Sequence, residues 1–205
     1  RGSSTALVAV ATEPGAPVYR GPRSPCDASA ALHFDPLPAT AAEVDFAATL
    51  WRTAGGKAEK LEGALATEAA LKSGAGGRRV LHLATHGFFL ASNCAGTHGD
   101  ARHENLLLRC GLAFAGANDR AQAEVGEEDG ILTGEEAGSL RLEGTEWVVL
   151  SACETAIGEL RASEGVFGLR RAFAVAGART VIGSLCPVDD ATSGRWMSVL
   201  YRTRL

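Results

Sequence analysis

The stretch VVLSACETAIGE (residues 148–159) decides the fold class of this 205-residue chain. It begins as an unbroken apolar run and ends in Ser-Ala-Cys-Glu-Thr. A run that is apolar at every position, instead of at alternate positions, is typical of a strand covered on both faces, as in a parallel sheet between helices. Cys153, at the end of this strand, is a candidate nucleophile. An inert buried thiol at a strand end is the alternative.

Three other stretches share this continuous apolar character. They are predicted as strands: STALVAVATE (4–13), RRVLHLATHG (78–87) and ARTVIGSLCP (178–187). KAEKLEG (57–63) is predicted as a short edge strand. The spacing of apolar residues predicts helices within 40–56, 67–77, 163–178 and 191–205. Strands that alternate with helices in this way predict an α/β fold, with a mostly parallel sheet and helices on both of its faces.

Capping residues mark the ends of these predicted helices. Thr67 is the expected N-cap of the second helix and Ser163 that of the third, which Gly177 closes. The third helix is expected to present a mostly apolar face formed by Val166, Leu169, Arg170, Phe173 and Val175.

Three connections do not follow the regular alternation. Residues 13–38 contain most of the seven prolines and no periodic pattern, which predicts an irregular segment. Residues 87–105 are predicted as a polar loop and residues 115–130 as an acidic loop. Both loops leave the sheet beyond the carboxyl ends of strands, where α/β proteins usually bind ligands.

The composition narrows the class of protein. Hydrophobic residues make up 46% of the chain and charged residues 21%, which is typical of one globular domain. A net charge of −4 argues against nucleic acid or an anionic membrane as the main partner. Five scattered cysteines, an odd number, favour reduced thiols in the cytoplasm. Because the chain begins with Arg1 and not with methionine, we expect it to be a piece of a longer protein.

The candidate catalytic residues lie at the ends of two predicted strands. VLHLATHG ends on His86-Gly87, and VVLSAC ends on Cys153. If the two strands are neighbours, about 4.8 Å apart, the imidazole can reach the thiol. A thiol beside an imidazole is the arrangement for nucleophilic attack on a carbonyl, with the imidazole managing protons. The backbone N–H groups of Gly87 and Cys153 are candidate oxyanion donors.

Metal sites are the competing interpretation of the histidines. His82 and His86 are four residues apart, but on a strand this spacing spans roughly 13 Å, too far to share one ion. Cys94, His98 and His103 could form a zinc site, although no Cys-x-x-Cys accompanies them. We therefore predict no metal and no cofactor.

Asp189 and Asp190 follow the fourth strand and precede the last helix. One interpretation is helix capping, with favourable charge near the helix N-terminus. The other is an acidic wall that selects a basic or polar side chain of a substrate. Both can hold together, since two aspartates can divide the roles.

At this point the sequence resembles the CHAT domain family of caspase-like cysteine peptidases, related to separase and caspases (clan CD). The resemblance covers roughly residues 37–205 and is carried in order by ATEAALKS (66–73), RVLHLATHGFF (79–89), NLLLRCGLAFAGAN (105–118) and the stretch from DGILTG to PVDDAT (129–192). It implies a caspase-hemoglobinase-like three-layer α/β/α sandwich with a mostly parallel sheet. It also implies a single domain over 1–205.

The resemblance further implies peptide-bond hydrolysis by a His86–Cys153 dyad, with the backbones of Gly87 and Cys153 as the oxyanion hole. Asp189 and Asp190 match the segment that forms a pocket for a basic P1 residue in the separase relatives. Family members often belong to longer proteins with helical repeats, and several bacterial ones act in defence, including on gasdermin-like targets. Their domains continue through a further helix and strand, so we expect this chain, which stops at Leu205, to be truncated.

Three functions remain open at this stage. The first is a regulated cytoplasmic cysteine endopeptidase, which cleaves a protein or peptide substrate and is controlled by an activator. The second is a catalytically silent scaffold or interaction module with the same fold. The third is a small-molecule thiol hydrolase. For the peptidase we expect latency, with the two polar loops as candidate switches.

Overall fold

The computed structural model describes residues 5–10, 32–90, 106–123, 128–151, 162–184 and 188–204. For residues 5–10, 106 and 162–166 it describes the backbone alone. The strands are β1 (Thr5–Val10), β2 (Lys57–Glu62), β3 (Val80–Ala84), β4 (Gly87–Phe89), β5 (Cys110–Ala113), β6 (Ile131–Thr133), β7 (Trp147–Ser151) and β8 (Thr180–Gly183). The helices are α1 (Thr40–Thr53), α2 (Glu68–Gly74), α3 (Gly134–Gly138), α4 (Ala162–Val175) and α5 (Asp190–Arg204).

Five of these strands form a parallel sheet in the order β2-β1-β3-β7-β8. The four continuous apolar runs are all strands of this sheet, and KAEKLEG is its edge strand β2, as predicted. Every residue of β3 is buried, because β3 has neighbours on both sides and helices on both faces. The mixed α/β class with a parallel sheet is therefore confirmed.

Helices pack on both faces of the parallel sheet. On one face, Val149 of β7 contacts Ala47 of α1 together with Met197 and Tyr201 of α5. On the other face, Leu81 and Leu83 of β3 and Val148 and Leu150 of β7 pack against α2, α3 and α4 in the largest core cluster of the described chain. Side chains that follow one another along a strand point to opposite faces, so each central strand supplies both cores.

A second, three-stranded antiparallel sheet has the order β4-β5-β6. The predicted polar loop over 87–105 is wrong at its start, because Gly87–Phe89 forms β4. Phe88 and Phe89 are buried in two different clusters on opposite sides of this strand. A three-residue strand is too short to leave a periodic signal in the sequence. Residues 91–105 lie outside the described residues.

The helix ends follow the predicted caps in part. The Thr67 hydroxyl accepts from the backbone N–H of Ala70 and caps α2, as predicted. Gly177 follows α4 with a φ of +108°, a conformation that glycine adopts without strain. The expectation that Ser163 caps α4 is wrong, because the helix begins one residue earlier, at Ala162.

The predicted apolar face of α4 is wrong at two positions, because Arg170 is exposed and Val175 is 71% exposed. The buried face runs through Leu169, Ala172, Phe173 and Ala176. These positions follow the spacing i, i+3, i+4, i+7 of one helix face. Val175 lies off this face, so its apolar character does not make it part of the core.

The predicted irregular segment 13–38 is described only from residue 32 onward. Residues 32–37 have no helix or strand, in agreement with the expectation, and residues 13–31 lie outside the described part. Among the helices that the structure describes, none combines the length and the apolar character that crossing a membrane would need.

Candidate active site

The two strands that carry the predicted dyad are neighbours. β3 and β7 pair in parallel, with Ala84 beside Ser151, and the Thr85 N–H donates to the Ser151 carbonyl at 3.2 Å. His86 follows Ala84 by two residues, and Cys153 follows Ser151 by two. The condition on which the predicted pair depended is therefore met. Cys153 itself lies outside the described residues.

His86 is buried at the end of β3, with a relative exposure of 8%. Its Nε2 atom lies 2.5 Å from the backbone carbonyl oxygen of Asp35. A carbonyl can only accept, so this contact requires the proton on Nε2. In the neutral ring, Nδ1 is then the atom with a free lone pair. The Phe34 ring packs beside the imidazole, with 5.6 Å between ring centroids.

Residues 32–36, which we name the strap, run across the site before α1 begins. The Asn118 side chain holds the strap by two hydrogen bonds to Phe34: Oδ1 accepts from the Phe34 N–H, and Nδ2 donates to the Phe34 carbonyl, both at 2.9 Å. Arg120 adds a third, from Nη2 to the Leu32 carbonyl at 2.7 Å. Sequence reasoning missed these residues, because the strap is aperiodic and Asn118 lies in a predicted loop.

A cavity of about 440 Å³ opens beside the imidazole. It is lined by residues 33–36 of the strap, by Thr85 and His86, and by residues 113–119. The Thr85 hydroxyl donates to the Ala113 carbonyl and joins the end of β3 to the end of β5. The imidazole thus lies beside a space that can receive a ligand.

The backbone of Gly87 is oriented by the second sheet. The Ala113 N–H donates to the His86 carbonyl at 2.9 Å, and Gly87 pairs with Leu112. In an antiparallel ladder this pattern makes Gly87–Leu112 a non-hydrogen-bonded pair. The Gly87 N–H therefore points away from β5 and takes no part in that ladder.

In a comparison with protein families, the family model of the CHAT domain matches residues 3–205 of the chain. The chain belongs to the CHAT domain family. A search of the curated proteins finds no match. The match spans every element described above, including the strap and both sheets.

Asp189 and Asp190 have structural contacts in this CHAT domain. Asp189 is exposed and caps α5, with Oδ1 accepting from the Thr192 N–H at 2.9 Å. Hydrogen bonds from the hydroxyl and the N–H of Thr192 hold the pKa of Asp189 below its ordinary value. Asp190 Oδ2 accepts from the Ala39 N–H at 2.7 Å and so joins α5 to the start of α1. The capping interpretation is confirmed for Asp189, and the P1-pocket interpretation stays a prediction.

His82 belongs to a different environment from His86. It is fully buried on the α1–α5 side of the CHAT sheet, where Nε2 lies 2.7 Å from Glu43 Oε1 and Nδ1 lies 2.9 Å from the Tyr201 hydroxyl. Both ring nitrogens therefore have protein partners. The alternative zinc ligands Cys94, His98 and His103 lie outside the described residues.

Three carboxylates of the described residues lie close enough to hold a cation. Their oxygens, from Glu68, Glu128 and Glu136, fall within 4.8 Å of one another. The Lys72 ammonium contacts all three, at 2.6 Å from Glu68 and 3.0 Å from Glu136. Burial, followed by the hydrogen bond with Glu128, raises the pKa of Glu68 to about 10. A single lysine side chain thus lies against all three carboxylates of this cluster.

Proposed function

We propose that this CHAT domain is a cysteine endopeptidase in which Cys153 is the nucleophile and His86 the general acid and base. One observation carries the proposal: the parallel register of β3 and β7, which sets Ala84 beside Ser151. The chain continues by two residues from each of these positions to reach His86 and Cys153. Neighbouring parallel strands are about 4.8 Å apart, so their ends can bring an imidazole to a thiol.

The hydrogen bond to Asp35 supports the role of His86. With its proton held on Nε2, the neutral ring offers Nδ1 to take the proton of the thiol. The thiolate then attacks the carbonyl carbon of the scissile peptide bond. Protonated Nδ1 returns the proton to the departing amine, and the acyl group stays on sulfur as a thioester. Water deprotonated by the same nitrogen hydrolyses the thioester and regenerates the thiol.

The direction of the Gly87 N–H supports a role as oxyanion donor. It is not used in the β4–β5 ladder, and glycine allows a substrate oxygen to approach without a Cβ in the way. Together with the N–H of Cys153 it would stabilise the negative charge of the tetrahedral intermediate. The cavity beside His86 would hold the substrate backbone or a side chain next to these groups.

The resemblance to other members of the family supports several finer proposals. They are a caspase-hemoglobinase-like three-layer sandwich, one peptidase domain over 1–205, and a regulated bacterial defence or signalling protease in the cytoplasm. The substrate would be a protein, such as a gasdermin-like effector, and an activator or a helical-repeat domain would control the site. Asp189 and Asp190 would line a pocket for a basic P1 residue.

A peptide-library assay tests the proposal. We expect the wild type, with its activating partner supplied, to cleave, and Cys153→Ala and His86→Ala to lose cleavage. Cys26→Ala is the matched control, since it removes a thiol outside the dyad and outside both candidate switch loops, and should keep its activity. Cleavage that survives in Cys153→Ala would exclude this nucleophile. Failure of a thiol-reactive peptide probe to label Cys153 in the activated wild type would favour the silent scaffold instead.

A further inference from the structure

We infer that Asn118 is a positioning residue, which holds the strap so that the Asp35 carbonyl keeps the proton of His86 on Nε2. The catalytic consequence rests on the proposed function, whereas the effect on the imidazole does not. Asn118 belongs to the turn 115–119, and its partner Phe34 is 84 residues away in the sequence. The hydrogen bonds between them join two segments without regular secondary structure.

The two hydrogen bonds fix the backbone on both sides of the Phe34 Cα atom. Oδ1 of Asn118 accepts from the N–H of Phe34, and Nδ2 donates to its carbonyl. The peptide plane that contains the Phe34 carbonyl leads directly to Asp35, whose own carbonyl accepts the hydrogen bond from Nε2 of His86. The orientation of that second carbonyl therefore depends on only the two backbone torsions of Asp35 once Asn118 is in place.

Other contacts keep the strap attached but do not orient this carbonyl. Arg120 binds the Leu32 carbonyl, three residues before Asp35. The Phe34 ring packs on His86 and on Phe88, with 6.0 Å between the two phenyl centroids. The side chain of Asp35 is 89% exposed. Within the described residues, its one ion pair is with His33, at 3.8 Å. Loss of Asn118 should thus loosen one peptide without releasing the strap.

The chemistry of this position requires a carboxamide. Phe34 presents one donor and one acceptor, and a primary amide of suitable length offers the complementary pair. Aspartate has nearly the same shape but no donor, and would place a negative charge against the Phe34 carbonyl. Asn118→Asp is therefore a nearly isosteric change that removes one hydrogen bond, and Asn118→Ala removes both.

The first measurement is nitrogen NMR of His86, assigned by comparison with His86→Ala. We expect one tautomer, protonated on Nε2, for the neutral ring of the wild type, and a mixture of tautomers in Asn118→Asp and Asn118→Ala. The second measurement is cleavage, where we expect kcat to fall on the order of 10- to 100-fold with KM unchanged. Gln122→Ala, which removes an exposed amide four residues further on, is the control and should match the wild type in both.

The two measurements separate the inference from the function. The tautomer of His86 could change in the variants while neither the wild type nor any variant cleaves the peptides. In that case Asn118 still positions His86, and the peptidase proposal fails. A folded Asn118→Ala with an unchanged tautomer would overturn the inference. So would a loss of kcat that disappears when the assay temperature is lowered, because that result indicates reduced stability alone. In a His86→Ala background, Asn118→Asp should cause no further loss of activity.

Discussion

Nε2 of His82 lies 2.7 Å from Oε1 of Glu43, and both side chains are buried between the parallel sheet and helices α1 and α5. His82 lies within β3 and points to the face covered by α1 and α5, whereas His86, four residues later, lies beyond the end of the strand and beside the cavity. The two histidines are alike in sequence context but serve different purposes. The first belongs to the core, and the second is the proposed catalytic group.

Removal of the Tyr201 hydroxyl should affect stability and not catalysis. In the wild type the hydroxyl contacts His82 Nδ1, and burial together with the nearby Glu43 raises the pKa of Tyr201. Tyr201→Phe leaves Nδ1 without that partner at a fully buried position. We expect a loss of about 1–3 kcal/mol in the free energy of unfolding by urea, with cleavage per folded molecule unchanged. A large fall in kcat at undiminished stability would contradict the structural role of His82.

Glu68 should make the domain less stable as the pH rises. Its carboxyl is buried, and its pKa is raised from 4.5 to about 10. Between these values the folded chain holds a proton that the unfolded chain has lost. The stability is therefore fully present below pH 4.5 and decreases with rising pH, with a limiting slope of about 1.4 kcal/mol per pH unit.

Glu68→Gln tests this relationship, because glutamine needs no proton. We expect the variant to gain stability over the wild type from pH 5 to pH 9, by an amount that grows with pH. The measurement is urea unfolding at several pH values. Glu135→Gln, which changes an exposed carboxyl of α3, is the control and should leave the wild-type pH dependence in place. Parallel curves for the wild type and Glu68→Gln would show that Glu68 is ionised in the fold.

The two roles considered for Asp189 can be separated by two substitutions. Asparagine is as good an N-cap as aspartate, whereas alanine is not. Asp189→Asn should therefore keep the melting temperature, and Asp189→Ala should lower it, because the Thr192 N–H loses its acceptor. If Asp189 also selects a basic P1 residue, Asp189→Asn should lower kcat/KM for Arg and Lys substrates alone. Equal kcat/KM in all three proteins would leave capping as its only role.

Gly130 should tolerate alanine less well than Gly144, although both have positive φ, +78° and +92°. A Cβ at Gly130 would lie 2.5 Å from the backbone nitrogen of Ala117, in the turn that lines the cavity, whereas a Cβ at Gly144 meets nothing within 4 Å. We expect Gly144→Ala to cost roughly 1–2 kcal/mol from backbone strain. Gly130→Ala should cost about 1–3 kcal/mol more and also reduce kcat. If both variants lose the same free energy of unfolding, the turn that contains Ala117 moves to accept the new Cβ at no cost in stability.

The local character of the chain could be predicted from the sequence. The continuous apolar runs indicated β1, β3, β7 and β8, because strands buried on both faces need apolar residues at every position. Thr67 and Gly177 marked helix ends, since capping is a contact between near neighbours. His86 was a candidate because it follows a predicted buried strand, and this position could also be read from the local sequence. β4 was missed, because three residues are too few for a pattern.

The sequence by itself determined which segments form the buried strands and which residues at their ends have reactive side chains. Only the tertiary structure decided what those residues contact. The partner of His86 is a carbonyl 51 residues earlier in the chain, held by an asparagine from a distant turn. Every residue has a backbone carbonyl, so the sequence contains no residue type from which this contact could be predicted. It arises because strand pairing and core packing bring the strap, the end of β3 and the turn 115–119 to one edge of the sheet.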